Sequence, residues 1–163
     1  FEASGMHPHH TDAVSSKIKI PVNTVWLGVL GVIPFAASSA VAVLASPQIS
    51  AHGESALLVY GAVILSFLGG ILWGRILAFA SVQAVSNETR SLIVSIVPPL
   101  IGWIAVLIGP RLGLPTLAIA FLLMLATDLI FAKCSLVPAW YPKLRVPLTL
   151  TVIPLLLVPA VFR

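Results

Sequence analysis

Charge is scarce in this sequence. Of 163 residues, nine are Lys or Arg and five are Asp or Glu, together 9%. A soluble domain of similar length carries about 25%. Cysteine is scarcer still. Cys134 stands alone, so it forms no internal disulfide and builds no zinc site by itself; it reads as a reduced structural thiol. Also missing are a P-loop, a dinucleotide glycine motif, an H-E-x-x-H element and a Ser/His/Asp set. No catalysis is therefore expected. The formal charge is +4 and the sequence pI about 9.7. The basic residues are scattered between apolar runs rather than gathered into a patch with aromatics, which argues against a nucleic-acid partner.

What remains is apolar. Hydrophobic residues make up 59% of the chain, and mean hydropathy is +1.09. Water does not solvate such a surface, so most of the chain has lipid as its solvent. Transmembrane strands alternate apolar and polar residues over about ten positions. Here the apolar runs are apolar all round and near twenty residues long, which excludes a barrel. The expected fold is all-α: an integral membrane helical bundle of about five transmembrane helices.

Residues 1–24 read as an extra-membrane N-terminal segment. They are polar and irregular, with no apolar stretch of the secretory-signal type; a removed organelle transit peptide would fit. Residues 25–163 read as one multi-pass domain with spans at 25–45, 55–78, 92–109, 114–132 and 146–162. Residues 47–54 are expected to form a loop, and Gly109 to Gly113 a turn. Pro34 should kink the first span, Pro98 and Pro99 should break the third, and the fifth carries Pro147, Pro154 and Pro159. With five crossings, Lys17, Lys19, Arg75, Arg90, Lys133, Lys143 and Arg145 share one side, seven in all, against Arg111 and Arg163, two in all. That asymmetry puts the N-terminus on the cytoplasmic, matrix or stromal side.

Four constellations stand out. Ala62, Ser66, Gly70, Gly74 and Ala78 recur every four residues on the second span, a small-residue face that lets another helix approach; a groove for a lipid tail, pigment or quinone is the functional alternative. Asp128 lies inside the fourth span, and intramembrane carboxylates are usually paired. Arg75 is the expected partner, with Lys133 or Arg145 able to share it. Lys143 and Arg145 are expected beside lipid headgroups. His7, His9 and His10 cluster in the tail. A metal site needs three or four fixed ligands, so no metal is assigned to them, and His52 reads as a solvated loop histidine. Trp26, Tyr60, Trp140 and Tyr141 fit interfacial belts, with Trp73 and Trp103 deeper.

The stretch Tyr60-Gly-Ala-Val-Ile-Leu-Ser-Phe-Leu-Gly-Gly-Ile-Leu-Trp-Gly74 resembles the signature of the transmembrane protein 69-like family, a domain of unknown function of bacteria and mitochondria. Ser95-Ile-Val-Pro98 with Trp103, then Asp128, Pro138-Ala-Trp-Tyr141 and Leu144-Arg145, are similar to its later elements. The likeness covers about Val25 to Thr151. The family often has His before the Trp of the first motif. This chain has Leu72 there, so no role is built on that position. The resemblance implies a small multi-pass protein, in eukaryotes of the mitochondrial inner membrane, and implies no established reaction.

The leading expectation is a non-catalytic accessory subunit of an energy-transducing membrane complex, of the respiratory chain in particular. Its partners would be membrane lipids and other integral subunits, and no cofactor is expected beyond a bound phospholipid such as cardiolipin. The alternatives are a small carrier or channel using Asp128 and Arg75, an assembly factor, and a photosystem-associated subunit.

Overall fold

The computed structural model describes residues 22–79, 88–134 and 137–162, with the backbone alone at 75–76, 78–79 and 88–92. Five helices follow one another: α1 (Val22–Leu44), α2 (Pro47–Phe79), α3 (Glu88–Leu107), α4 (Pro110–Lys133) and α5 (Tyr141–Val161). No strand occurs among the described residues. The protein is an all-helical membrane bundle.

Two connections are tighter than the sequence suggested. The polar stretch at 47–54, expected as a loop, is the start of α2. Pro47 suits a first helical position, because its fixed φ is helical and its missing N–H would have no partner there. The polar side chains that follow find partners on backbone carbonyls. Ser55 Oγ donates to Ala51 O at 2.9 Å, and His52 Nδ1 lies 2.9 Å from Gln48 O. Ser50 Oγ donates across to Ala42 O of α1. A run that looked like solvent-exposed loop is therefore helix docked on α1. The expected turn at 109–113 shrinks likewise. Gly109 alone takes a positive φ of 82°, and Pro110 already begins α4.

The prolines do not divide the helices they occupy. α3 continues through Pro98 and Pro99, where a break was expected, and α5 through Pro147, Pro154 and Pro159. Neighbours take up the consequences. Pro99 has no N–H to offer Ser95 O one turn back. That carbonyl oxygen instead faces α2, so close to Gly69 that a Cβ there would sit 2.7 Å from it. A Cα–H of glycine can approach such a carbonyl, and a side chain cannot.

The helices run up and down. Contacts pair Tyr60 with Gly31 and Gly53 with Ala42 across α1 and α2. They pair Gly102 with Ala62 across α2 and α3, and Gly113 with Ala105 across α3 and α4. Across α1 and α2, and across α2 and α3 where Gly69 meets Ser95, one number rises as the other falls, as antiparallel neighbours require; the short connection after Leu107 turns α4 back on α3. α1, α2, α4 and α5 close a ring, while α3 lies against α2 and α4. Phe35 fills the centre, edge-on to Tyr60 at 4.8 Å and to Phe121 at 6.0 Å. Leu57, Leu65, Leu114, Leu117 and Leu156 complete a fully buried core.

The outer faces are as apolar as the core. Leu27 is 70% exposed and Trp103 61%. Soluble monomers do not keep large apolar patches in water, whereas lipid covers them at no cost. Four helices are long and apolar enough to cross a membrane: α1, α2 over Pro47–Gly74, α4 and α5. The apolar part of α3 among the described residues is Ile93–Leu107, which spans roughly 22 Å.

A candidate intramembrane ion pair

The alternation of the helices decides which polar groups can meet. The C-terminal end of α4 and the N-terminal end of α5 fall at the same end of the bundle, joined by a short connection. Within it Tyr141 N donates to Pro138 O at 2.9 Å, and the Trp140 and Tyr141 rings meet edge-on at 6.1 Å. The turn folds α5 back on α4. It sets Arg145, just over one turn into α5, opposite Asp128, just over one turn before the end of α4.

There Arg145 Nε donates to Asp128 Oδ2 at 2.9 Å. The site is dry: Asp128 is 1% exposed and Arg145 8%. At that distance in a medium of low dielectric the attraction is large, and so is the cost of having stripped water from both charges. The pair persists because each charge neutralises the other where neither could stand alone. A charge-assisted hydrogen bond between two helices also fixes their rotation and register, which dispersion between smooth apolar faces specifies weakly.

Arg145, expected beside lipid headgroups, is instead 8% exposed, with its Nε engaged by Asp128 inside the bundle. Lys143, its expected companion beside the headgroups, is exposed. Asp128 was matched with Arg75 from sequence. The Arg75 side chain lies outside the described residues, and Arg145, named as able to share the carboxylate, is paired with it.

The small-residue face of α2 divides. Ala62 is buried against Gly102 of α3, where a Cβ on Gly102 would meet Ala62 Cα at 3.2 Å. Ser66 turns back on its own helix and donates to Ala62 O at 2.8 Å. Gly70 and Gly74 are exposed, and a Cβ built on either meets nothing within 4 Å. The Ala78 side chain lies outside the described residues. The close approaches run instead along Gly53, Gly61 and Gly69. These lie on the row one residue before the small-residue face, about 100° around the helix, and they meet α1, α4 and α3 in turn.

Among the described residues no group of three His, Cys, Asp or Glu side chains is placed to hold a metal. His7, His9 and His10 lie outside them. Cys134 is exposed at the end of α4.

Thr149 drew no attention in the sequence. It lies one turn beyond Arg145 on the same face of α5 and is 1% exposed. The spacing of four between an intramembrane arginine and a threonine was the available signal. Arg145 Nη2 and Thr149 Oγ1 are both buried without a hydrogen-bond partner among the described residues.

The chain is 28% identical over 152 residues to transmembrane protein 69 of Xenopus tropicalis, covering 89% of this chain and 58% of that protein. It is 29% identical over 145 residues to transmembrane protein 69 of Mus musculus, covering 88% and 57%. The chain thus spans a little over half the length of the curated relatives it matches. No solved structure matches it. The model of a family described as a protein of unknown function, DUF3429, matches residues 20–161, nearly the whole chain, and the chain belongs to that family.

Proposed function

We propose that this chain is a non-catalytic structural subunit of a larger energy-transducing complex in the mitochondrial inner membrane, with the respiratory chain as its setting. The observation that supports this reading best is the use made of Asp128. A proton or ion path needs a carboxylate that can exchange its charge and is followed by others. Asp128 is instead tied to Arg145 at 2.9 Å in a site 1% exposed, which suits a lock between α4 and α5.

The rest of the molecule is compatible with docking. Exposed apolar side chains on α1 and α3, Leu30 and Leu100 among them, suit lipid or the helices of other subunits. The basic residues Lys133 and Lys143 fall at the end of the bundle where α1 begins, so the N-terminus is assigned to the matrix side. Phospholipid headgroups would meet Lys143 there.

Native electrophoresis of inner-membrane protein solubilised in digitonin tests this. The expected result is migration within a respiratory assembly many times the 17.2 kDa of the chain, with other integral subunits in the same band. Migration only as a small free species would overturn the proposal.

A further inference from the structure

A cleft of about 550 Å³ opens at the end of the bundle opposite the Asp128–Arg145 pair. Among the described residues it is lined by Glu54 of α2, Pro110, Arg111 and Leu114 of α4, and Pro159 and Ala160 of α5. A step between helices creates it. Leu58 lies beside Gly113, where a Cβ would meet Leu58 Cδ1 at 2.7 Å. One turn further out α4 has reached its first residues, whereas α2 continues past Glu54 to Pro47. Those seven further residues add roughly 10 Å of helix. The start of α2 therefore projects past the start of α4, and the cleft lies in the step.

Its place in the fold is at a bilayer surface. α4 and α5 are both long and apolar enough to cross, and the cleft forms where one begins and the other ends. Leu112, Val161 and Phe162 nearby are exposed apolar side chains. Two charges line the cleft, one of each sign. Arg111 is exposed and Glu54 is half-buried. Arg111 has no ion pair among the described residues, so the two are not paired with each other. Arg111 also stands against the local field. It is the second residue of α4, and the N-cap, Gly109, supplies no side-chain cap. The guanidinium and the positive end of the helix dipole thus fall together, an unfavourable arrangement that an anion relieves.

We propose that this cleft holds the head of a zwitterionic phospholipid, with its phosphate on Arg111 and its ammonium toward Glu54. Three features select this chemistry. The planar fork of a guanidinium matches two phosphate oxygens. A carboxylate on the same wall attracts the ammonium and repels a head that carries only negative charge. The remaining lining is apolar and opens beside Leu112, Val161 and Phe162, which acyl chains cover. The volume lies within the roughly 300–1,000 Å³ of ligand cavities. Phosphatidylethanolamine suits the site, because its ammonium has N–H groups to donate to a carboxylate. This site is separate from Lys143, which lies at the other end of the bundle.

The test uses the full chain, purified and delipidated in dodecyl maltoside, with bound lipid counted by native mass spectrometry. The probes are dioleoylphosphatidylethanolamine, dioleoylphosphatidylglycerol as the anionic comparison, and glycerophosphoethanolamine as the head without tails. Phosphatidylethanolamine should bind saturably and more tightly than phosphatidylglycerol, and the tail-less head should not compete. Arg111→Gln should weaken phosphatidylethanolamine binding by about tenfold, and Arg111→Lys should restore part of it by returning the charge. Glu54→Gln should bring the affinities for the two lipids together. Ala160→Phe changes no charge and should weaken both lipids by narrowing the cleft. Unchanged thermal melting checks the fold of each variant. Lys143→Gln should leave the preference as it is. Absence of saturable binding would overturn the proposal, as would binding indifferent to Arg111→Gln and Ala160→Phe. So would a preference that survives Glu54→Gln, tighter binding of phosphatidylglycerol by the parent, or displacement of the lipid by glycerophosphoethanolamine alone.

Discussion

Arg145→Met lowers the stability of the bundle by about 3–5 kcal/mol, and adding Asp128→Leu restores most of the loss. The reason lies in what each change leaves behind. The single substitution takes from a carboxylate that is 1% exposed the cation held 2.9 Å from it. The double substitution removes both charges together and fills their place with side chains of similar volume. Equilibrium unfolding of the three variants in mixed micelles measures the difference. A single variant as stable as the parent would mean the pair is not the joint between α4 and α5. A double variant as poor as the single would mean the loss comes from packing rather than from an orphaned charge.

The second large effect separates two kinds of glycine on one helix. Gly53→Ala costs about 1–3 kcal/mol. Its Cβ would lie 2.6 Å from Ala42 N and 3.0 Å from Ser38 O. Those are backbone atoms of α1 that cannot rotate aside, so α1 and α2 must separate. Gly70→Ala has no such neighbour within 4 Å. It is neutral or gains up to about 1 kcal/mol, because alanine loses less backbone freedom in a helix than glycine does. The same unfolding assay reads both. Equal effects at the two positions would refute the placement of the α1–α2 contact.

The comparison also shows how far the sequence could be read. Hydropathy sees solvent, so it found the apolar stretch of every helix and excluded a barrel. It misread residues 47–54 because it scores side chains singly. Ser50, His52 and Ser55 look solvated in a list, yet on a helix each reaches a carbonyl. The small-residue pattern on α2 was real as a pattern. The row that packs is the one a residue back, with Gly53, Gly61 and Gly69, and which of two adjacent rows faces the neighbours depends on helix rotation, about 100° per residue, which composition does not give. The need of Asp128 for a cation was legible from the cost of burying it. Which of several basic residues would supply it depends on helix rotation and on where α5 begins. α5 starts at Tyr141, five residues before the apolar run, and that extension carries Arg145 into the bundle. Thr149 is the buried residue that its spacing of four from Arg145 could have signalled.

Alternation of all five helices across a bilayer, α3 included, requires the α1–α2 turn and the end of α4 to lie on opposite sides. Cys134 and Ser46 are the reporters. Cys134 is exposed at the end of α4, Ser46 lies between α1 and α2, and three helices separate them. In oriented membrane vesicles, a maleimide that does not cross the bilayer should label Cys134 of the parent from one side only. It should label Ser46→Cys, in a Cys134→Ala background, from the other side only. Labelling of both positions from the same side would show that α3 does not cross, and would contradict the bundle as described.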